Sequence, residues 1–408
     1  MARAPRGDRR FEKGSKKRPE TPSGPAGTLA VVPVYLDHAA SGPLHPAAAE
    51  AMVGWITGSY GNPSGSHQVA RRARAAVEDA RERVAAFAGV APGDVVFTSG
   101  GTEADNLAVL GPLAERPGAV VVSAVEHPAV LEAARASGRE VRSIGVGPDG
   151  LIDPDRMRSL LGPDVAVVSI QLANHETGVL QPFRRIARLV RRLAPGAVLH
   201  TDAVQAAPWM DLAPVAPLCD LLSVSAHKLG GPQGAGALAV RPGVRLAPTA
   251  HGGGQERERR SGTHNVAAIV GFGAAVGALA SADRQERWDR VAALRDGLAD
   301  RLIASVPGAV ATAPGAPRAP GHCHFRFPGV ESEALLFLLD EAGVCASAGA
   351  ACASGALEPS PVLMAMGVDK VEAGSALRLT LGPATTSADV DLAAGAVSRA
   401  VAALRAAP

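Results

Sequence analysis

The sequence predicts an α/β protein in which a mostly parallel sheet is covered by helices on both faces, with a smaller α+β domain after it. From Val34 onward, short β-rich runs alternate with helical segments, which is typical of such a sheet. Polar motifs follow several of these runs, and ligand sites of α/β folds lie at the carboxyl ends of the strands. Strands are predicted at Val95–Thr98, Ala119–Ser123, Ala166–Gln171, Ala197–Thr201, Leu221–Ser225 and Gly236–Val240.

Two helical segments accompany the predicted sheet. Arg71 to Val84 is charged on one face and apolar on the other, which predicts an amphipathic helix. An alanine-rich segment from about Ala267 to Ala304 predicts one long helix that leaves the sheet, and residues of about 305–408 form the second unit.

Composition places the chain among globular enzymes. Its 408 residues are 47% hydrophobic with a formal net charge of +2, which fits neither a disordered chain nor a nucleic-acid-binding surface. We find no apolar run long enough for a membrane span and no secretory signal. Four irregularly spaced cysteines form no disulfide framework, so we expect a reducing, cytoplasmic location.

The N-terminal residues 1–33 differ from the rest because basic residues occur there with proline and glycine and few apolar partners. We expect a disordered basic tail without a defined function. Nucleic-acid binding is the alternative and would be steeply salt-dependent, but Asp8, Glu12 and Glu20 dilute the charge. The acidic residues also argue against an organelle transit peptide.

A lysine follows the apolar run Leu221–Ser225 and precedes a glycine-rich loop. An amine that loses hydration among apolar and small residues is easier to deprotonate, so Lys228 is a candidate for a Schiff base with an aldehyde. A solvated loop lysine is the alternative.

An aspartate ends the run Val198–Asp202 upstream of this lysine. A carboxylate there could keep a pyridinium nitrogen protonated, so that pyridoxal 5'-phosphate (PLP) acts as an electron sink. Gln205 could donate a hydrogen bond to the 3-oxygen of the same ring. An ordinary helix N-cap is the alternative for Asp202.

Two further strand ends carry candidate site residues. Gly100, Gly101 and Thr102 open a helix after Val95–Thr98, where backbone N–H groups and the helix dipole favour a phosphate. This pattern matches neither a P-loop nor a dinucleotide fingerprint, and a plain strand–turn–helix link is the alternative. His127 follows Ala119–Ser123 and could stack on a planar cofactor and move protons, or could be an ordinary loop histidine.

These motifs, in this order, resemble a cysteine desulfurase of the NifS/IscS-like branch of the class V aminotransferases, within the fold type I PLP enzymes. The resemblance extends from about Tyr35 to the C-terminus. It rests on Leu36–Ala40, Gly61–Ser64, Thr98–Glu103, Glu126–His127, Asn174–Gly178, Asp202–Gln205, Ser225–Lys228, His251–Glu256, Arg260–Thr263, Ala351–Cys352 and Arg378.

The resemblance implies a seven-stranded sheet and a division of the chain into domains. Residues 50–280 would form the large PLP-binding domain. Residues 34–49 and 281–408 would form the smaller domain, which carries the catalytic cysteine loop.

The resemblance also implies the site. PLP would be bound by Gly101, Thr102, His127, His175, Asp202, Gln205, Ser225, His227, Lys228 and Thr263, and substrate by Asn174 and Arg378. Lys228, Cys352 and His127 would be catalytic. Thr263 corresponds to a phosphate contact from the neighbouring subunit, so the protein would be a homodimer with shared active sites.

Cys352 is surrounded by small residues from Ala346 to Ser360 that cannot pack a core, which predicts a mobile surface loop and a reactive thiolate. Cys219 and Cys345 are at or near apolar runs, and we expect both to be buried and inert. Within His322–His324 only the two histidines would share a strand face, so we expect no metal site.

Two substrate-site positions leave alternatives open. Arg378 lies in the middle of a predicted strand and could bind a substrate α-carboxylate or form a structural ion pair. The family commonly has two asparagines where this chain has Asn174 and His175. The contact expected from the second asparagine is therefore in doubt, and Asn174 does not obviously replace it.

The predicted reaction converts L-cysteine to L-alanine and leaves the sulfur as a persulfide on Cys352 for delivery to a protein acceptor, such as an iron–sulfur scaffold or a thiolation enzyme. A class V aminotransferase or a selenocysteine lyase would share Lys228 and Asp202, although the aminotransferase would not need Cys352. A sulfur-transfer adaptor that has lost catalysis is a third possibility, against which the intact Lys228 and Cys352 argue.

Overall fold

The computed structural model describes residues 33–281, 283–349 and 359–407. The predicted basic tail, apart from Pro33, and the predicted nucleophile Cys352 lie outside the described residues.

Twelve strands are described: β1 Val34–Tyr35, β2 Val95–Thr98, β3 Ala119–Ser123, β4 Val141–Ile144, β5 Val165–Ser169, β6 Val198–Asp202, β7 Leu221–Ser225, β8 Gly236–Val240, β9 Val310–Ala311, β10 His322–Arg326, β11 Val344–Cys345 and β12 Ala376–Thr380. The α-helices are α1 Pro46–Thr57, α2 Gln68–Ala88, α3 Gly101–Glu115, α4 Pro128–Ala136, α5 Pro154–Arg158, α6 Phe183–Leu193, α7 Val266–Leu279, α8 Arg284–Ser305, α9 Ser332–Glu341, α10 Pro361–Ala365, α11 Lys370–Ala373 and α12 Ser387–Ala406.

Seven strands form the main sheet, in the order β2-β8-β7-β6-β5-β3-β4. The strands from β7 to β4 are parallel, whereas β8 is antiparallel to both of its neighbours. The predicted α/β class with a mostly parallel, seven-stranded sheet is therefore confirmed. The sequence analysis missed β4, because this edge strand has only one buried residue among Val-Arg-Ser-Ile and lacks an apolar run.

Both faces of the main sheet are buried by helices. On one face, Leu221, Leu238 and Val96 pack with the apolar side of α3. On the other face, Leu222 and Val224 belong to a larger cluster with α2, α6 and α7. Neighbouring residues of β7 thus enter different clusters, as the two-residue period of a strand requires. The strand ends between these layers point at the candidate site.

The predicted single helix from Ala267 to Ala304 is wrong, because two helices, α7 and α8, occupy this stretch. Arg287 of α8 donates to the carbonyl of Leu279, the last residue of α7, at 3.0 Å and to the Ser281 hydroxyl at 2.8 Å. A guanidinium at the carboxyl end of a helix satisfies carbonyls that lack helical partners, so it stabilises the break. Ser281 to Asp283 contain no glycine or proline, which explains why the sequence did not show it.

In the described part of the chain, no single helix is long and apolar enough to cross a bilayer; α7 and α8 meet these criteria only when they are taken together as a bent pair.

A separate hydrophobic cluster lies around the small sheets. β12, β10 and β9 form an antiparallel sheet, and β1 pairs in parallel with β11. Leu36, Leu298, Phe325, Leu377 and Val397 are buried together in this cluster. The N-terminal strand is thus paired with a strand more than three hundred residues away. The domain boundaries at residues 50 and 281 stay predictions.

Candidate active site

A cavity of about 360 Å³ lies at the carboxyl ends of the central strands. Ten of the predicted site residues line it: Gly101, Thr102, His127, His175, Asp202, Gln205, Ser225, His227, Lys228 and Arg378. Ala39, Ala40, Asp105, Gln171, Ala173, Val204 and Gly349 complete the lining. Strand-end residues meet there because the parallel strands β3, β5, β6 and β7 end on the same edge of the sheet.

Lys228 reaches the cavity from a 3₁₀ turn, Ala226–Lys228, that follows β7 directly. Its Nζ donates to the backbone carbonyl of Ala40 at 2.7 Å and also to the carbonyl of Ala39. The same stretch is tied to the turn by a hydrogen bond of 3.0 Å from the Gly42 amide to the His227 carbonyl. The segment between β1 and α1 therefore sets the direction of the amine.

Asp202 is the last residue of β6 and is buried. Its Oδ1 accepts a hydrogen bond of 2.8 Å from the Val204 amide, a local turn contact that engages one of the two carboxylate oxygens. Burial raises the pKa of Asp202, while the positive charges of His127 and Lys228 oppose this shift. A cationic group in the cavity would stabilise the ionised carboxylate.

Backbone and small side chains form another part of the cavity lining. Gly101 begins α3, and no side chain of the described residues caps this helix. A Cβ on Gly101 would lie 2.9 Å from Cγ2 of Val204, so the close approach requires glycine. The buried Ser225 hydroxyl lines the cavity and has no hydrogen-bond partner within residues 33–281, 283–349 and 359–407. Open helix N–H groups and an unpaired hydroxyl are suited to an anion such as a phosphate.

His127 is held by its own helix. It is the N-cap of α4, and its Nδ1 accepts a hydrogen bond of 3.1 Å from the Ala129 amide. In the neutral ring the proton is therefore on Nε2, the nitrogen that is left to act as a donor. Burial lowers the pKa of His127, the Lys228 charge adds to this effect, and Asp202 opposes it.

His175 lines the cavity, whereas its neighbour Asn174 does not. The His175 ring lines the cavity edge-on to the His127 ring, with centroids 5.1 Å apart. Burial lowers the pKa of His175 well below its usual value, as do the charges of His127 and Arg378, so the ring is neutral. Asn174 is not in the lining: its Oδ1 accepts hydrogen bonds from Glu176 and Thr177, and its Nδ2 donates to the Val125 carbonyl at 3.1 Å. Its predicted contact with substrate stays a prediction.

Arg378 enters the cavity from the middle of β12 and is buried. Its Nη2 pairs with Oδ1 of Asp37 at 2.8 Å, so the ion pair considered as an alternative is present. Its Nη1 donates to the His175 carbonyl at 2.9 Å, whereas Nε has no partner among the described side chains and backbone groups. The guanidinium thus keeps hydrogen-bonding capacity at the cavity, and its binding of a carboxylate stays a prediction.

Of the remaining predicted site residues, two line the cavity and one does not. Gln205 and His227 line the cavity; Gln205 Nε2 donates to the Ala39 carbonyl at 2.7 Å, and His227 Nδ1 lies 3.3 Å from the Ser41 hydroxyl. Thr263 is exposed and is not part of the lining. Its contribution to a neighbouring subunit stays a prediction.

Comparison with known proteins assigns the family. Residues 34–392 match the family model described as aminotransferase class-V. The chain is 41% identical over 383 residues to an IscS-like cysteine desulfurase of Mycobacterium tuberculosis, covering 90% of this chain and 96% of that protein.

This chain is a class V aminotransferase family member of the cysteine desulfurase type. A solved NifS-like protein superposes with a TM-score of 0.83 at 32% identity, over 90% of this chain and 98% of that one. A structure described as SspA in complex with cysteine gives a TM-score of 0.74 at 30% identity, over 86% and 99% of the two chains. The recognition made from the sequence motifs is confirmed.

The cavity of this desulfurase fits the PLP that its family implies. The amine of Lys228, the carboxylate of Asp202 and the anion cradle at Gly101 and Ser225 are the three groups that an aldehyde, a pyridine nitrogen and a phosphate need. They line one cavity, and the buried Ser225 hydroxyl is otherwise unpaired among the described residues.

The sequence analysis gave no role to two buried carboxyls near Asp202. Asp105 lines the cavity, and Glu126 accepts a hydrogen bond of 2.7 Å from the Gln171 amide. Burial raises the pKa of both groups, and the charge of Asp202 adds to each shift. Asp105 lies four residues after Gly101 on α3, so helical spacing could have placed it on the cavity side.

Glu176 is a third carboxyl without a predicted role. Burial raises its pKa to about 7, although a hydrogen bond from Ser360 and the charge of Arg378 act in the opposite direction. Glu176 is adjacent to His175, and its Oε1 lies 3.7 Å from Nε2 of that ring.

The other cysteines and the histidine pair do not contribute to the cavity. Burial raises the pKa of Cys219 and of Cys323 to about 12, so neither thiol ionises readily. The expectation that Cys345 is buried is wrong, because it is only partly covered at the end of the short edge strand β11. His322 and His324 are buried, and no group of three or more metal-ligating side chains occurs in the described ranges.

Proposed function

We propose that this desulfurase removes sulfur from L-cysteine with PLP joined to Lys228, releasing L-alanine and leaving a persulfide on Cys352. The observation that carries the proposal is the convergence of Lys228, Asp202 and Arg378 on one cavity whose lining also includes Gly349. Cys352 follows Gly349 by three residues, and three peptide units span at most about 11 Å. This short separation along the chain supports Cys352 as the thiol that reacts at the cavity.

When bound, PLP supplies an electron sink that makes the α-proton of an amino acid easier to remove. Asp202 would hold the ring nitrogen, while the α3 N-terminus and the Ser225 hydroxyl would hold the phosphate. Gln205 and His175, which line the same cavity, would supply polar contacts to the ring. Arg378 would orient the substrate carboxylate through its remaining N–H groups.

The protein's own groups complete the reaction. The Lys228 amine takes the α-proton, and the Cys352 thiolate attacks the substrate sulfur. The carbon–sulfur bond breaks with its electron pair staying on the three-carbon product, whose β-carbon then takes a proton to become the methyl group of alanine. The balance is cysteine plus a thiol giving alanine plus a persulfide, with no external oxidant. His127, whose Nδ1 is occupied by the Ala129 amide, would exchange protons with the sulfur through Nε2.

We further propose that the protein works as a homodimer with shared sites and passes the persulfide sulfur to a protein acceptor. Val53, Ile56 and Tyr60, on α1 and just after it, are 56%, 67% and 89% exposed. Apolar side chains so exposed on one helix favour coverage by a second copy. The acceptor would be an iron–sulfur scaffold or a thiolation enzyme.

The test of this function compares two cysteine variants of the PLP-loaded protein. Cys352→Ser should retain the visible absorption of bound PLP and its change on addition of cysteine, but should form no protein persulfide and lose nearly all alanine production. Cys345→Ser is the matched control, because that thiol is partly exposed and lies outside the cavity, and it should behave as the unmodified enzyme.

The alternatives predict other results. Unchanged desulfuration by Cys352→Ser would contradict the persulfide step. Formation of a keto acid instead of alanine would indicate an aminotransferase, and release of selenium from selenocysteine with little turnover of cysteine would indicate a selenocysteine lyase. A protein that binds no PLP, and so shows no visible band, would be an adaptor.

A further inference from the structure

The residues on both sides of 350–358 meet at one buried carboxyl. The Glu176 side chain is 1% exposed, and its Oε2 accepts a hydrogen bond of 2.5 Å from the Ser360 hydroxyl. A Cβ on Gly349 would lie only 2.8 Å from the same oxygen. Gly349 immediately precedes the stretch that contains Cys352, and Ser360 follows its end by two residues.

Each of the two flanks is fixed independently of Glu176. On the N-terminal side, Ser347 and Arg378 exchange backbone hydrogen bonds of 3.1 and 2.6 Å, and the Gly349 amide donates to the Ser347 hydroxyl at 3.2 Å. On the C-terminal side, the Ser360 hydroxyl accepts from the Leu363 amide at 3.0 Å as the N-cap of α10. Glu176 therefore hydrogen-bonds to one anchored flank and lies close against the other.

Glu176 is itself held rigidly. Asn174 Oδ1 accepts hydrogen bonds from the Glu176 amide at 3.0 Å and from the Thr177 amide at 2.8 Å. The residue before it, His175, lines the cavity, and its carbonyl accepts from Arg378. One short turn thus presents a ring to the cavity and a carboxylate to the two flanks.

We propose that Glu176 is a positioning residue for the desulfurase reaction: by accepting a hydrogen bond from Ser360 and packing against Gly349, it holds the two described residues between which the chain carries Cys352. Glu176 contacts neither substrate nor cofactor in this account. It acts through the flanks, so it governs the step in which the Cys352 thiol reacts and not the binding of cysteine. The inference rests on the proposed function for its kinetic readout.

The first experiment separates turnover from binding in the PLP-loaded enzyme. Glu176→Ala should lower kcat for alanine formation by about 10- to 100-fold, since small misplacements of a reacting group cost that much. KM for cysteine should stay within about twofold, because Lys228 and Arg378 are unchanged. Glu176→Gln keeps an oxygen that accepts from Ser360 and should restore most of kcat. The control Glu333→Gln alters an exposed carboxylate in the first turn of α9 and should have no effect.

A second measurement does not depend on desulfurase activity. The rate of Cys352 alkylation by iodoacetamide, followed by mass spectrometry of the PLP-loaded enzyme, should rise at least about threefold in Glu176→Ala and stay near the original value in Glu176→Gln. If the unmodified enzyme made no alanine but the alkylation difference appeared, the proposed function would fail while the positioning role stood.

A double-mutant cycle guards against general loss of stability. Ser360→Ala also removes the N-cap of α10, but this effect is the same with or without Glu176 and cancels in the cycle. If the two residues act through their shared contact, the double variant should lose clearly less activation free energy than the sum of the losses in the two single variants. Full additivity, an unchanged alkylation rate, or a loss confined to KM would each overturn the proposal.

Discussion

At the scale of single residues, the cavity combines one amine with a group of buried carboxyls. Asp105, Glu126 and Asp202 are all buried, and burial raises the pKa of each of them. Mutual repulsion adds to the shifts of Asp105 and Glu126. Such a cluster is stabilised by a cation in the cavity, and a protonated ring nitrogen next to Asp202 would provide one.

The residue that should matter most in this cluster is Asp202. Asp202→Asn keeps the size of the side chain but removes its charge, so the ring nitrogen loses the group that keeps it protonated. We expect PLP to remain bound through Lys228 and the Gly101 cradle, while kcat/KM for cysteine falls by about 100- to 1,000-fold. Alanine formation and the visible absorption spectrum measure the two effects.

Asp105→Asn provides the comparison for this prediction. Asp105 lines the same cavity but lies on α3 and not at the end of β6. Its replacement should cost much less activity than that of Asp202. Equal losses would mean that the total charge of the cluster matters and not the position of one carboxylate.

Single residues also show what the sequence could predict. Lys228, Asp202 and His127 were found because each follows an apolar run, and the ends of parallel strands meet on one edge. The carbonyls of Ala39 and Ala40, which hold the Lys228 amine, were not found. They are backbone atoms 189 and 188 positions away from Lys228, and a contact of that kind leaves no mark in a local pattern.

At the scale of elements, the segment before Thr263 is strained and tightly held. Glu256, Arg257 and Glu258 have φ values of 50°, 58° and 65°, in the left-handed region that costs side-chain-bearing residues about 1–2 kcal/mol each. Arg81 from α2 forms two hydrogen bonds of 2.8 Å with the Glu256 carboxylate, and the Phe97 amide and His264 contact the same group. A run of charged residues indicates a solvated surface, so this buried ion pair could not be predicted from the sequence pattern.

The ion pair predicts a pH-dependent loss of stability. Burial alone would raise the pKa of Glu256, but hydrogen bonds from Arg81 and His264 outweigh it and lower the pKa to about 2. A carboxyl with a depressed folded pKa stabilises the fold above its unfolded pKa of about 4.5, and this contribution is lost as the pH falls toward 2. Glu256→Gln should therefore destabilise the enzyme by about 3 kcal/mol at pH 7, because Arg81 is left buried without its counter-charge.

Urea unfolding of the PLP-loaded enzyme between pH 7 and pH 4 measures this effect. The difference in free energy of unfolding between the original protein and Glu256→Gln should be constant down to about pH 5 and should become smaller below about pH 4.5. Glu258→Gln, two residues away and exposed, is the control and should unfold as the original protein does at every pH. If this difference in free energy did not change with pH, packing and not charge would stabilise the segment from Glu256 to Glu258.

At the scale of the whole molecule, residues from both the main sheet and the small antiparallel sheet line the cavity. Lys228 and Asp202 come from the main sheet, whereas Arg378 comes from β12 of the small antiparallel sheet. Six of the seven strands of the main sheet were predictable because they are apolar runs, and β4 is the exception. The pairing of β1 with β11 was not, since two-residue strands such as Val34–Tyr35 have no periodicity to detect.

If the active sites are shared between subunits, two inactive variants should restore activity to each other when they form a mixed dimer. Lys228→Ala removes the amine of a subunit's own site, whereas Thr263→Ala would impair the site of its partner. In a mixed dimer both defects fall in one site, and the other site receives an intact Lys228 and an intact Thr263. Unfolding and refolding a 1:1 mixture of the two variants should therefore restore about a quarter of the original activity per subunit, since half of the dimers are mixed and half of their sites are intact.

The matched control for this complementation is a mixture of Lys228→Ala with Asp202→Asn. Both of these residues line the cavity of their own chain, so mixing distributes the defects over both sites and restores nothing. Recovery in the first mixture and not in the second would place Thr263 in the partner's site. Size-exclusion chromatography would show whether mixed dimers had formed. If they had formed and neither mixture recovered activity, Thr263 would act in its own subunit or in no site. The active sites of the dimer would then be separate, although the exposed side chains of α1 could still form its interface.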